Sequence, residues 1–117
     1  MTDRVGESNY AFLPNRSILS VSGADARQFL QGLISNDMRK VAPSQAIWAA
    51  LLTPQGKFLH DFFITERAAD EAFLLEVETH RLEDLARRLK LYRLRSKVEI
   101  RDEKIRYRKE GRRKTPR

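Results

Sequence analysis

A chain of 117 residues, 41% hydrophobic and 33% charged, has room for one domain with a modest core and excludes a second. It contains no cysteine, which excludes disulfides, thiolate metal ligands and thiol nucleophiles and fits a reducing compartment, with the cytoplasm as the default. The net charge of +7 is unevenly placed: residues 101–117 hold nine Lys/Arg against three acids, while residues 1–100 hold 14 against 13, so the basic character belongs to the C-terminal stretch.

Residues 1–15 read as an N-terminal arm. Residues 1–7 have no apolar run that could serve as a signal sequence, and nowhere do about eighteen apolar residues run together, so a soluble protein with no membrane partner is expected. Residues 16–21, with Ile18, Leu19 and Val21, form a short strand that ends at Gly23. From 24 to 35, Ala26, Phe29, Leu30, Leu33 and Ile34 recur at helical spacing. Ser22 followed by Asp25 resembles a capping box, and Gly32 either weakens this helix or permits close packing. Asn36-Asp37 and Pro43-Ser44 bracket a loop. Residues 46–52 are a continuous apolar run whose length suits a buried strand. Trp48 within it belongs either to the core or against a ligand.

Pro54 and Gly56 in Thr53-Pro54-Gln55-Gly56 predict a hairpin with the glycine at positive φ, pairing 46–52 antiparallel with 57–65. Alternation puts Lys57, Leu59, Asp61, Phe63 and Thr65 on one side of the second strand and Phe58, His60, Phe62 and Ile64 on the other. Both sides are mostly apolar, as in a strand interior to its sheet. Asp61 between Leu59 and Phe63 is therefore expected to be poorly solvated. It is either hydrogen-bonded by loop amides or the Lys57 ammonium, or it awaits a ligand. His60 faces away from it and reads as a packed histidine. A polar turn at 67–71 leads into a strand at 72–78, where Phe73, Leu75 and Val77 alternate with Leu74, Glu76 and Glu78, the latter set toward water. Thr79 caps a helix to about Leu94 with Leu82, Leu85, Ala86, Leu89 and Tyr92 on one stripe and a solvated Arg/Lys face. Residues 97–101 close the pattern as a strand. The order β-α-β-β-β-α-β predicts an α+β fold over residues 16–102, a mostly antiparallel sheet with two helices on one face. Residues 103–117 read as a basic, disordered tail.

Three stretches carry a likeness: Arg16 and Val21-Ser22-Gly23-Ala24-Asp25-Ala26; Phe29 through Asp37; and Leu51-Leu52-Thr53-Pro54-Gln55-Gly56-Lys57 leading to Asp61. In order and spacing they resemble the folate-binding domain shared by glycine-cleavage aminomethyltransferases (T-protein) and the YgfZ-like proteins tied to iron–sulfur enzyme maturation. The single-glycine turn is similar to the YgfZ-like branch. The resemblance implies tetrahydrofolate as ligand, with Asp61 as the contacting carboxylate, Trp48 as an aromatic contact and Phe63 as an apolar one. Lys57 and Gln55 at the hairpin are either partners of the ligand's carboxylate tail or exposed turn residues. A chain without cysteine lacks the Lys-Gly-Cys segment of YgfZ-like proteins, and the likeness covers about the first third of a usual member. The expectation is a truncated YgfZ-like module serving one-carbon metabolism or iron–sulfur enzyme maturation, without complete transferase machinery. Its implied partners are a folate-type small molecule and iron–sulfur assembly proteins, and a homodimer would cover an open sheet edge and an unshielded ligand face. The alternative is a small basic protein whose residues 103–117 touch nucleic acid or an acidic partner by counterion release.

Overall fold

The computed structural model describes residues 15–103. In chain order these are β1 (Arg16–Ser22), α1 (Ala26–Gln31), a single 3-10 turn (Met38–Lys40), β2 (Ile47–Leu52), β3 (Phe58–Arg67), β4 (Ala72–Glu78), α2 (Thr79–Arg93) and β5 (Glu99–Asp102). The five strands form one sheet in the order β2-β3-β4-β1-β5, every pair antiparallel. The arm at 1–15 and the tail at 103–117 lie, apart from Asn15 and Glu103, outside the described residues.

Period-two alternation turns one set of side chains inward: Leu19 and Val21, Ala49 and Leu51, Phe62 and Ile64, Leu75 and Val77, and Ile100 are all buried. Both helices lie on that face, α1 through Ala26, Phe29 and Leu30 and α2 through Leu82, Leu85 and Leu89, making one cluster with the strands. Each fully buried leucine there contributes about 1.5–3 kcal/mol relative to an exposed one. Arg27 ties α1 to its surroundings, donating to the Met38 carbonyl at 2.5 Å and lying 4.8 Å from the centre of the Phe73 ring.

The first helix is shorter than its periodicity suggests. After Gln31 the chain turns to the open edge of β2, where Ile34 bridges Leu51, the Ser35 amide donates to the Ala50 carbonyl at 3.0 Å, and the Ala50 amide donates to Ser35 Oγ at 2.9 Å. Pairing the unsatisfied backbone of an edge strand outweighs another helical turn. The capping box does not form. Ser22 is in β1, and Asp25 faces Lys97, its amide donating to the Lys97 carbonyl and its Oδ2 accepting from the Lys97 amide at 2.8 Å. That tie also keeps Lys97 out of β5, which begins at Glu99. Gly23 has φ 116°, and a Cβ there would collide with the Lys97 carbonyl oxygen. At Gly32 a Cβ would meet only ordinary contacts at 3.7 Å, so close packing does not require glycine there. Thr79 is the first residue of α2 rather than its cap, and its hydroxyl pairs with Ser17 Oγ at 2.8 Å. Gly56 has φ 88°, as the turn demands.

Candidate functional site

The outer face of the sheet carries neither helix. There β3 sits between β2 and β4, with Trp48 opposite Phe63 and Ala50 opposite Asp61 on β2, and Phe63 opposite Glu76 on β4. On the other side of β4, Arg16 of β1 lies opposite Glu78. Trp48 is therefore not a core residue: it is 49% exposed, its neighbour Phe63 is 47% exposed, and Asp61 is half-buried beside them. Because Ala50 is small, the diagonal from Trp48 to Asp61 is open, a separation that a long aromatic side chain can span. The indole Nε1 donates to Asp61 Oδ2 at 3.2 Å. The partner of Asp61 is this indole, not the loop amides or the Lys57 ammonium. Asn36 Nδ2 donates to the Trp48 carbonyl at 2.8 Å and steadies the β2 side.

A cleft of about 330 Å³ opens here, lined by Arg16, Trp48, Asp61, Phe62, Phe63 and Glu78. Three of the four candidate residues, Trp48, Asp61 and Phe63, are thus brought together. The fourth, Lys57, is an exposed residue of the β2–β3 turn and does not line the cleft. Arg16 and Glu78 escaped the sequence reading. The alternation of β4 did place Glu78 on the water side, but which strand would flank it is a matter of topology. Both are already engaged: Arg16 Nε lies 3.1 Å from Glu76 Oε2, and Arg81 Nε donates to Glu78 Oε1 at 3.0 Å. The site therefore offers a carboxylate acceptor between two exposed aromatic rings. This suits a flat heterocycle that presents N–H donors, and the volume is at the lower end of the roughly 300–1,000 Å³ of small-molecule pockets.

On the opposite face His60 is 5% exposed, with Nε2 2.7 Å from Asp84 Oδ2 on α2. It packs away from Asp61, as alternation predicts. Asp84 also accepts from Arg88 Nε at 2.8 Å and Arg87 Nη2 at 2.5 Å. Arg88, then His60, then Arg87 hold its carboxyl well below the usual range. His60 Nδ1 is buried without a partner. Among the described residues no group of three or more His, Cys, Asp or Glu is placed to hold a metal ion, and no helix is long and apolar enough to cross a membrane.

Comparison with known proteins agrees with this architecture. The model of the GCVT N-terminal domain family matches residues 15–108. The chain is 37% identical over 109 residues to the iron-sulfur cluster assembly factor IBA57 homolog, mitochondrial, of Aspergillus fumigatus, covering 80% of this chain and 24% of that protein. It is 34% identical over 103 residues to the protein of the same name from Mycosarcoma maydis, covering 79% and 26%. Among solved structures it is similar to the glycine cleavage system aminomethyltransferase T from Bartonella henselae, with a TM-score of 0.68, 19% identity, and coverage of 76% of this chain and 24% of that one. At that identity the likeness concerns the fold. The chain spans about a quarter of the length of the curated relatives it matches. Those relatives are named mitochondrial, which overturns the cytoplasmic expectation. The physical reason is plain: a chain without cysteine is indifferent to thiol redox conditions and so carries no information about which compartment holds it.

Proposed function

The chain belongs to the GCVT N-terminal domain family, and from that premise we propose that it serves iron–sulfur cluster assembly in mitochondria, holding a tetrahydrofolate-type ligand against Asp61. The first half of this reading is supported by the names of the relatives. The second is supported by one observation above the others, the Trp48–Asp61 pair set beside Phe63 on a sheet face that no helix covers.

The residues fit the ring end of such a ligand. Asp61 Oδ1 and the remaining lone pair of Oδ2 accept from ring N–H groups, and the faces of Trp48 and Phe63 pack on the flat heterocycle. Bound tetrahydrofolate would supply a carrier for a one-carbon unit. This chain's own contribution is to orient the ring and to exclude water on one side of it. Lys57, outside the cleft, is the residue for a carboxylate tail that runs along the β2–β3 turn. Residues 16–102 act as one wall of a folate-binding domain, and the facing wall comes from beyond them.

Thermal unfolding with and without tetrahydrofolate tests the reading. A ligand at about a hundred times its Kd adds about 2.7 kcal/mol, several degrees in the Tm of a domain this size. Asp61→Asn, binding about tenfold more weakly, cuts the shift to about half at the same ligand concentration and leaves the ligand-free Tm in place. A wild-type Tm indifferent to tetrahydrofolate would refute the folate half of the proposal.

A further inference from the structure

Half of the Lys/Arg of the described residues lie in α2 and the four residues after it. Residues 79–97 hold seven Lys/Arg against two acids, Glu83 and Asp84, and Asp84 is already bonded to His60, Arg87 and Arg88. Around the last turn of α2 and the residues after it, Lys90, Arg95 and Lys97 form no ion pair with a described carboxylate. Asp25, which lies beside this turn, accepts the Lys97 backbone amide.

Two leucines stand among these charges, Leu91 at 63% and Leu94 at 86% exposure, with Tyr92 partly exposed next to them. Leu91 lies in the last turn of α2 and Leu94 is the residue just past it, so both stand at the same end of the helix. Leu94 has φ 44° and ψ −111°, a conformation that a bulky side chain rarely adopts. The core does not need it, because Leu82, Leu85 and Leu89 already bury the inner stripe of α2.

We propose that this end of α2 is a peripheral membrane-contact surface, in which Leu91 and Leu94 enter the headgroup boundary of an anionic bilayer and Lys90, Arg95 and Lys97 face the lipid phosphates. Charge complementarity alone would also admit an acidic protein. Stable protein interfaces, however, bury about 1,200–2,000 Å² around a packed apolar centre, and two leucines with the edge of a tyrosine on a charged helix end supply no such centre. A bilayer needs no matching shape: a few projecting apolar side chains and a ring of basic residues suffice. Contact of this kind requires no spanning helix, and it revises the expectation of no membrane partner for the periphery alone.

Co-sedimentation of the full chain with vesicles provides the test, using phosphatidylcholine alone and phosphatidylcholine containing phosphatidylglycerol. Two variants are compared, Leu91→Ser with Leu94→Asn, and Lys90→Gln with Arg95→Gln and Lys97→Gln. Residues 104–117 are retained in both, so their charge contributes equally. All five sites are at the surface or its margin, and asparagine tolerates the positive φ at 94, so both variants keep the wild-type Tm. The wild-type chain binds the anionic vesicles and not the neutral ones; the leucine variant weakens that binding by about tenfold or more and the three-cation variant by on the order of a hundredfold. The proposal is overturned if anionic vesicles bind no protein, or if the leucine variant binds them as well as the wild type, which would assign the attraction to charge elsewhere in the chain.

Discussion

Asp61 and His60 are adjacent in sequence and chemically separate in the fold. Alternation along β3 sends one to the open face and the other to the core, and this much was legible because the strand carries both polar and apolar markers. The side taken by Trp48 was not legible. Residues 46–52 are apolar throughout, so nothing in them fixes the phase of alternation, and only the register with β3 puts the indole beside Asp61. Trp48→Phe keeps an aromatic surface and removes the donor to Asp61. It should change stability by about 1 kcal/mol or less, since the bond is exposed, while weakening tetrahydrofolate binding severalfold by titration. His60 behaves in the opposite way. Asp84→Ala would leave both ring nitrogens of a buried histidine without partners and should cost about 1–3 kcal/mol in chemical denaturation, with no effect on the outer cleft.

Acid should act on two carboxylates. Asp84 is held well below its ordinary value of 3.8, chiefly by Arg88, and Asp70 is lowered to about 2, chiefly by Arg67. Both folded-state values are depressed, so the stability they contribute is present above 3.8 and is lost as pH falls through the folded values. The Tm of the wild type should therefore drop between about pH 4 and pH 2 more steeply than that of an Asp84→Asn, Asp70→Asn double variant, in which those contributions are missing throughout. Parallel profiles would show that neither pair stabilises the fold.

Elements bounded by strong local chemistry were readable. The strand at 72–78 and the turn at 53–56 stand where alternation and the Pro-Gln-Gly signal put them. Elements whose ends are set by distant partners were not. The first helix stops at Gln31 because the edge of β2 recruits Ile34 and Ser35, and Asp25 is drawn to Lys97 across 72 residues of chain. The two left-handed glycines should separate these cases. Gly56→Ala meets nothing within 4 Å and should cost about 1 kcal/mol for its φ alone. Gly23→Ala adds a collision with the Lys97 backbone and should cost clearly more, shifting the Tm further and loosening the start of β5. Equal effects would mean that the Gly23–Lys97 approach does not matter to stability.

At the scale of the molecule, one sheet face is sealed by two helices and the other is open. The α+β class and the single-faced helix layer followed from the order of periodicities, because each element buries one stripe and the connections leave few alternatives. Compartment did not follow, since the absence of cysteine on which the expectation rested is neutral to it. The Arg/Lys face of α2 was legible, but which of its cations stay without a described carboxylate partner was not, because that depends on the packing of distant elements. In the proposed function the open face, with its carboxylate and two aromatics, serves as one wall of the site and the ligand supplies the donors.

Trp48 is the sole tryptophan in the chain, so its fluorescence reports on the cleft without a label. In a titration with tetrahydrofolate the emission should change saturably with one site per chain, and Asp61→Asn should weaken that binding by about tenfold, the loss of one hydrogen bond to a charged group. An emission that does not saturate, or one that saturates identically in both proteins, would contradict a ligand held by Asp61.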